Sequence, residues 1–380
     1  MSVALPTALP RSGELEPVLD VALAQLFARA AELDANPRFP RANFESLKRA
    51  GVPQLAAERE RLTFADEVEL VRAVAGADAS TARILDGHFN GVERLSLLAP
   101  SELRERELDG VRAGELLLGV WGADPGQGEG APAAIETRTA GEMVLGGVKT
   151  FCSGAGGVQR ALVVARDADG ARRLVYADVS KTISIDSEWY RASGLRASES
   201  HRVEFCDTPV LAVLGEPNET LREPWFARDA VRTAATWAGI ADCVLHATVK
   251  AVGDRELDQL RLHALGRMRL ARSSIDRWLE RAVAVLEPAG EEPREQVDDA
   301  LEHEAAVASW RVTSAECRLA LADAARVIAA EAVRVCGSRA LIDGGALDRA
   351  RRDLDLFLLQ HRLDPKLVEL GAQTLAEGAR

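Results

Sequence analysis

The chain has 380 residues, of which 47% are hydrophobic and 28% are charged, and its formal net charge at pH 7 is −12. A chain of this length predicts two or three domains, because single hydrophobic cores stop growing at about 250–300 residues. The negative charge and the lack of a dense basic block exclude a surface that tracks nucleic-acid phosphates. No segment approaches the roughly 18 consecutive apolar residues of a membrane span, so we expect no membrane partner.

The N-terminal segment and the cysteines bear on the compartment and on metal binding. The segment lacks the basic start and apolar core of a secretory signal, so we expect a cytoplasmic protein. The chain has five widely separated cysteines without a Cys-x-x-Cys pair: Cys152, Cys206, Cys243, Cys317 and Cys336. This pattern predicts neither a disulfide framework nor a zinc site, and we expect reduced, mostly buried thiols and no metal.

Helical periodicity runs from about residue 15 to residue 115, interrupted where Pro and Gly stop helices. The segment FPRANFESLKRAGV, residues 39–52, predicts one complete helix with Asn43 as its N-cap and Gly51 at its end. Two further helices are predicted near residues 64–76 and 79–98. We therefore expect residues 1–115 to form an N-terminal helical domain.

Short apolar runs replace the helical pattern after residue 116. They are ELLLGVWG, EMVLGGVKTF, RALVVARD, RRLVYADV and HRVEFCDTPVLAVLG, and they are separated by Gly, Asp and Pro. Runs of this kind are typical of short β-strands. Residues 116–215 are therefore expected to form a small middle β domain.

Helical periodicity returns after the segment EPNETLREP and continues towards the C-terminus. Two apolar stripes fall at helical spacing: Leu265, Met268, Ile275, Leu279 and Leu286, and then Leu321, Ile328 and Val335. The segment EPAGEEPREQ, residues 287–296, predicts a solvated connection between two helices, and Gly337 is expected to be a C-cap. Residues 216–380 are expected to form a C-terminal helical bundle.

Several segments resemble, in the same order along the chain, those of the acyl-CoA dehydrogenase superfamily. They are NFESLKRAGV, GGVKTFCSGA, GLRASESHRVEFCDTPV, AATWAGIADCVLHATV and AVRVCGSRALIDGGALDRARRDLDL. The resemblance implies a mainly α fold with an N-terminal helical domain, a small β-barrel-like middle domain and a C-terminal four-helix bundle. It also implies an FAD cofactor and a homodimer or homotetramer, because family members build the FAD site across subunits.

The segment GGVKTFCSGAGG, residues 146–157, resembles the family segment that lies alongside the flavin ring. The resemblance places Phe151, Cys152 and Ser153 at this ring, with the Ser153 hydroxyl or backbone towards flavin N5. An aromatic side chain packs against a flat ring, and small residues allow a close backbone approach. The alternative is a tight turn between two strands, with its glycines at positive φ and Phe151 in the core.

A second segment, GVWGADPGQGEG, stands where the family has a Thr-Glu-Pro loop beside the flavin. The family's threonine is missing, but backbone N–H groups do not depend on side-chain identity. The resemblance therefore implies that Trp121, Gly122 and Ala123 offer backbone N–H groups to the pyrimidine edge of the ring. The alternative for Trp121 is a packing role.

The resemblance also implies contacts with the diphosphate half of FAD in a neighbouring subunit. In RVCGS, Arg334 stands at a family Gln position, and Gly337 and Ser338 stand at the two Gly positions. Arginine suits a pyrophosphate, although a solvated helix residue is the alternative. The family's Arg-x-x-Phe-Gly segment is present only as QLRLHALGRM, without an arginine in register.

The residue expected at the reacting face is His361. Family dehydrogenases carry a glutamate base eight residues after an Arg-Asp pair, and here His361 follows Arg352-Asp353 at that distance. Asp229 is a shorter substitute at a second family position, and the nearby Arg228 and Arg232 can instead bind a substrate anion. Imidazole is a serviceable acid or base at neutral pH, while the alternative for His361 is a helix-end residue that interacts with the helix dipole.

Three functions are compatible with these residues. The first is an FAD-dependent dehydrogenase that oxidises an acyl-CoA-like thioester across Cα–Cβ, with a hydride passing to flavin N5 and an electron-acceptor flavoprotein or reductase as partner. The second is a flavin-dependent monooxygenase on the same fold that uses His361. The third is a catalytically silent flavin-fold or assembly protein, because the family's glutamate and threonine are missing. Fold alone does not decide between them.

Overall fold

A computed structural model describes residues 16–138, 141–289, 300–342 and 344–378. Most of the predicted connection at residues 287–296 lies outside the described residues, since α-helix continues to Ala289. Six helices come first: α1 (Glu16–Ala35), α2 (Arg41–Arg49), α3 (Val52–Leu55), α4 (Phe64–Ala77), α5 (Ala79–Leu98) and α6 (Ser101–Arg112). The helices predicted near residues 64–76 and 79–98 are therefore confirmed.

The predicted N-cap at Asn43 is wrong. Helix α2 begins at Arg41 after Pro40, and Asn43 lies buried inside its first turn. The Asn43 amide donates to Thr81 Oγ1 at 3.0 Å, so the side chain links α2 to α5 instead of capping its own helix. Gly51 follows the helix at φ +75°, as expected of the residue that ends it.

Seven strands follow: β1 (Leu118–Trp121), β2 (Ala134–Thr137), β3 (Met143–Cys152), β4 (Arg160–Arg166), β5 (Arg172–Asp178), β6 (Ile183–Asp186) and β7 (His201–Leu214). Strands β4, β2, β3, β7 and β5 pair in that order, and β5 pairs back with β4 to close a small barrel. Strand β1 pairs with β4 in parallel, and β6 pairs with β7 in antiparallel. The barrel interior contains Trp121, Leu145, Cys152, Val163, Val203 and Phe205.

The C-terminal helices are α7 (Trp225–Val252), α8 (Gln259–Ala289), α9 (Ala300–Cys336), α10 (Ala346–Gln360) and α11 (Asp364–Gly378). Helix α7 contacts α4, α5, α9 and α10, so it lies between the N-terminal helices and the rest of the bundle. The predicted apolar stripes are buried, except that Leu265 is half-buried. Gly337, at φ +71°, ends α9 and donates its N–H to Val333 O at 2.8 Å, which confirms the predicted helix end.

The described residues include all five cysteines, and all of them are free thiols. Cys152, Cys243 and Cys317 are buried. In the part of the chain that the structure describes, no helix combines the length and the apolar character needed to cross a membrane.

Candidate active site

At the end of β3 the side chain of Phe151 is exposed, whereas those of the next two residues, Cys152 and Ser153, are buried. Phe151 has φ +52° and leaves 44% of its side chain exposed, whereas Cys152 points into the barrel and is fully buried. Gly154 and Gly156 follow at φ +77° and +81°, values that L side chains rarely adopt. The segment therefore forms a tight glycine turn, but Phe151 is on the surface and not in the core.

Gly157 has a different role from the two glycines before it. Its φ is not positive, and a Cβ built on it would lie 2.0 Å from Cε2 of Phe39. The close approach of the Phe39 ring to this backbone holds the turn against the loop between α1 and α2. The turn is thus fixed by packing from the helical part of the chain.

The side chain of Trp121 fixes the turn from the barrel side. It is fully buried, and its indole N–H donates to Ser153 O at 3.1 Å. Next to it, Lys149 Nζ donates to Gly122 O at 3.2 Å and to Asp124 Oδ1 at 2.6 Å. Because Trp121 is fully buried and pairs with Val163 in the sheet, Ala123 is the exposed residue of the three that the sequence predicts at the ring.

A chain of buried hydroxyl groups leads away from the turn. Ser153 Oγ lies 2.9 Å from Ser200 Oγ, which lies 2.8 Å from Ser198 Oγ. Burial raises the pKa of the neighbouring Tyr190 above its ordinary value, although hydrogen bonds with Ser198 and Ser200 oppose the shift. These hydroxyls can pass hydrogen bonds between the turn and Tyr190.

Aromatic rings border a cavity beside this hydroxyl chain. Phe151 packs edge-on against Trp189 and Tyr190, with ring centroids 5.0 and 6.5 Å apart, and Tyr190 lies 6.2 Å from the His201 ring. The cavity has a volume of about 690 Å³. It is lined by Pro37, Arg38, Ser187, Glu188, Tyr190, Arg191, Ala192, Ser193, Arg196, Glu199, His201 and Arg352.

Helix α10 is tied to the loop that carries the serines. Arg352 pairs with Asp34 at 2.6 Å and donates to Ser193 O at 2.6 Å. Asp353 Oδ1 accepts a hydrogen bond from the backbone N–H of Leu195 at 2.6 Å. The Arg-Asp pair noted in the sequence therefore anchors α10 to the barrel loop.

His361 immediately follows α10 and packs between aromatic rings. Its ring centroid is 5.2 Å from Trp237 on α7 and 5.3 Å from Phe357. Burial lowers the pKa of His361 well below its ordinary value, and the positive charges of Arg318 and Arg83 lower it further. The imidazole is therefore neutral at pH 7, unlike the cation expected of a helix-end histidine that interacts with the dipole.

Arg83 of α5 lies close enough to both Tyr190 and His361 to influence their pKa values. It pairs with Asp86 at 2.9 Å and lies over the Phe357 ring, with Cζ 5.6 Å from the ring centroid. Its charge lowers the pKa of His361 and also opposes the raised pKa of Tyr190. The hydroxyl chain and His361 therefore lie within electrostatic reach of the same guanidinium group.

Two of the remaining predicted cofactor residues lie at the end of α9. Arg334 leaves 70% of its side chain exposed and pairs with Glu331 at 3.0 Å. Glu331 also pairs with Arg267 at 2.7 Å. Within one chain, then, Arg334 and Gly337 stand apart from the turn at Ser153, and their role at a cofactor stays a prediction.

The alternative residues near the start of α7 are paired within the protein. Asp229 Oδ2 accepts from Arg94 at 2.6 Å, and burial raises the Asp229 pKa to about 7. Arg228 Nε contacts Glu93 at 2.8 Å. Arg232 Nε contacts Glu67 at 2.7 Å. The suggestion that these arginines bind a substrate anion is therefore wrong, because carboxylates of α4 and α5 already neutralise them.

Several residues of the site were missed from the sequence. Ser198 and Ser200 lie in GLRASES, and Trp237 lies in AATWAGIA, so both resembling segments contained them without indicating a contact. Arg83, Tyr190 and Arg318 gave no local signal. Only their packing in three dimensions distinguishes them from the many other arginines and surface residues.

The N-terminal helices, closed barrel and helical bundle form the acyl-CoA dehydrogenase fold, as the sequence predicts. The sequence itself matches no protein-family model and no curated protein. Solved structures match it over nearly the full length at low identity, which establishes the shared fold.

Three such structures illustrate the match. FMN-bound TdsC from Paenibacillus sp. A11-2 is 17% identical, with a TM-score of 0.85 over 96% of this chain and 98% of that one. Methanesulfinate monooxygenase MsuC from Pseudomonas fluorescens is 20% identical, with a TM-score of 0.83 over 96% and 97%. KijD3 in complex with FMN and a dTDP-linked amino-keto sugar is 20% identical, with a TM-score of 0.82 over 97% and 95%.

Proposed function

We propose that the chain is a flavin-dependent monooxygenase whose flavin ring binds at the exposed end of β3, between barrel and bundle. The residues there fit a flat ring: the Phe151 side chain is exposed, and the glycine turn lets a ligand approach the backbone. The adjoining cavity of about 690 Å³ is within the range of about 300–1,000 Å³ usual for small-molecule sites. Tyr190 and His201 line this cavity, and the Tyr190 ring contacts Phe151.

The structural neighbours support a flavin and an oxygenase. TdsC is described as a dibenzothiophene monooxygenase and MsuC as a methanesulfinate monooxygenase. A further neighbour is a nitrososynthase from Micromonospora carbonacea var. africana. These proteins are oxidoreductases on the same fold, which favours the second of the three functions expected from the sequence.

Within the proposed function we favour FMN over the FAD expected from the resemblance. The TdsC and KijD3 complexes contain FMN. In this chain Arg334, the residue expected at the FAD diphosphate, is already paired with Glu331, and the family's Arg-x-x-Phe-Gly segment lacks its arginine. FMN needs no contacts for an adenosine half, so these departures do not impair its binding.

The residue at the expected base position is the observation that carries the choice of reaction. In the dehydrogenases that the sequence resembles, a glutamate removes the α-proton of the thioester, and this chain has His361 at that position. Asp229, the other candidate base, is held in ion pairs with Arg94 and Arg232. A neutral imidazole still offers one N–H donor and one acceptor nitrogen to a polar substrate.

The roles of the protein groups follow from this arrangement. With a reduced flavin bound, the site would have the electrons needed to activate O₂, so that one oxygen atom enters the substrate and the other leaves as water. Phe151 and the glycine turn orient the ring, and the buried Trp121 indole keeps the turn in place. His361, whose ring packs against Trp237 and Phe357, exchanges a proton with the substrate.

The reaction is tested with protein loaded with FMN and photoreduced without oxygen. The sample is mixed with buffer containing isotopically labelled O₂ and one of three probes: indole, dibenzothiophene or methanesulfinate. We expect mass spectrometry to find one labelled oxygen atom in at least one product. Anaerobic bleaching of the oxidised flavin by butyryl-CoA or octanoyl-CoA would instead support the dehydrogenase first expected from the sequence.

Replacing His361 tests its role in the same assay. His361→Gln keeps a hydrogen-bonding side chain but cannot exchange a proton, and we expect turnover to fall about a hundredfold with flavin absorbance unchanged. His246→Gln is the matched control, because His246 lies on α7 at a distance of roughly 13 Å along the helix from Trp237. Equal turnover in the two variants would exclude an acid–base role for His361.

A further inference from the structure

Arg318 of α9 is a largely buried cation without a counter-ion among the described residues. Its Nε atom is inaccessible to solvent and has no hydrogen-bond partner there. Burial lowers the pKa of Arg318, and the one neighbour that opposes this shift is the thiol of Cys317. Other buried arginines differ: Arg72, for example, contacts Asp242 at 2.8 Å.

An unpaired guanidinium inside a protein is costly, because it loses its hydration without gaining a partner charge. Several other buried arginines are compensated by carboxylates, as in the pair of Arg228 with Glu93 at 2.8 Å. Arg318, whose charge acts on His361, has no such pair among the described residues. A buried charge that destabilises the protein without a ligand, and that a bound ligand neutralises, is characteristic of a binding site.

A second unpartnered donor lies against the first. The Trp237 side chain is fully buried, and its Nε1 has no hydrogen-bond partner among the described residues. Arg318 Cζ lies over this indole, 5.6 Å from the ring centroid. The His361 ring packs on the same indole at 5.2 Å. Arg318 and Trp237 thus each carry an N–H group without an acceptor in the described part of the chain, and they lie against each other beside the histidine of the proposed reacting centre.

We propose that Arg318 and Trp237 form an oxyanion subsite, so that the substrate is a small organic anion held by its carboxylate or sulfinate group beside His361. The guanidinium supplies the charge and paired N–H donors that a planar or pyramidal oxyanion accepts, and the indole adds one N–H. This inference rests on the proposed function, because it identifies the class of substrate for that site.

A phosphate of the cofactor is the other source of the same chemistry. The contact of Trp237 with His361 favours the substrate, because the anion then lies next to the residue that exchanges the proton. A single guanidinium with one indole N–H also matches a monoanion better than a dianion. The experiment separates the two sources by measuring anion binding and FMN binding independently.

The test follows the six tryptophan indole N–H resonances by ¹H–¹⁵N NMR, with that of Trp237 identified from Trp237→Phe. Acetate and benzoate are titrated against the neutral isosteres acetamide and benzamide, with and without FMN. We expect the anions to shift the Trp237 resonance downfield and to bind about tenfold more tightly than the amides. Arg318→Gln should remove this preference, and Arg318→Lys should keep part of it.

The control is Arg326→Gln, since Arg326 is exposed on the same helix and pairs with Asp323 at 2.9 Å. It should leave both titrations unchanged. Equal affinity for anions and amides in the wild-type protein would overturn the proposal, as would weaker FMN binding in Arg318→Gln with anion binding intact. If anions bind as expected but no flavin does, the subsite stands and the proposed function fails.

Discussion

Asp353 is a buried carboxyl group whose charge state affects the stability of the junction between α10 and the barrel. Burial raises the Asp353 pKa to about 7, against about 3.9 for an unfolded chain. Between these values the folded protein holds a proton that the unfolded chain has lost. The stability from this group is therefore present below about pH 4 and is lost as the pH rises through about 7.

Asp353→Asn removes this titration but keeps an oxygen that accepts the Leu195 N–H. We expect the variant to gain stability relative to wild type as the pH is raised from about 4 to about 7. Urea unfolding followed by circular dichroism at several pH values measures the difference. Asp355→Asn, at an exposed position of the same helix, is the control and should run parallel to wild type. A parallel curve for Asp353→Asn would contradict the raised pKa.

At the residue scale the sequence indicated part of the candidate site. Ser153 and His361 were expected there from the resemblance; Ser153 is buried and contacts Ser200, whereas His361 packs against the Trp237 and Phe357 rings. Arg318 was not indicated, because the chain has 47 Lys and Arg residues and nothing local marks the one without a partner. Its burial depends on how α7 and α9 pack, which a helical pattern does not specify.

The crossing of α4 and α7 is the closest helix contact that bears on the site. A Cβ built on Gly239 would lie 2.1 Å from Arg72 O and 2.7 Å from Ala75 Cβ. The glycine lets the two backbones approach, and Trp237 lies two residues earlier on α7. The position of the indole beside His361 therefore depends on this contact.

Gly239→Ala should destabilise the protein by about 2–3 kcal/mol, because the methyl group must push the two helix backbones apart. Gly266→Ala is the matched control: Gly266 lies within α8 with no atom within 4 Å of its built Cβ. It should be neutral or stabilise by up to about 1 kcal/mol through helix propensity. The midpoints of urea unfolding give both values. Similar midpoints for the two variants would argue against a tight crossing.

At the element scale, long periodic segments were predictable and short ones were not. The helices from Phe64 and Ala79, and five of the seven strands, follow apolar runs that are visible in the sequence. Strands β2 and β6 have four residues each and are at most half-buried, so they carry no such run. The Asn43 cap failed because a tertiary hydrogen bond to Thr81 outweighed the local preference.

At the scale of the whole molecule, the proposed site joins parts that are far apart in the chain. The turn after β3, the loop with Ser198 and Ser200, α5, α7, α9 and α10 all contribute. The order of these parts was predictable from the resembling segments, but their mutual packing was not. The homodimer or homotetramer expected from the resemblance stays a prediction.

A flavin bound between the barrel and the bundle is the premise of the proposed function. The direct measurement is the visible absorption spectrum of the full-length protein after incubation with FMN or with FAD and removal of the excess. We predict a resolved flavin spectrum with close to one FMN retained per chain, and weaker retention of FAD. Retention of neither flavin at micromolar protein concentration would contradict the proposed site and function.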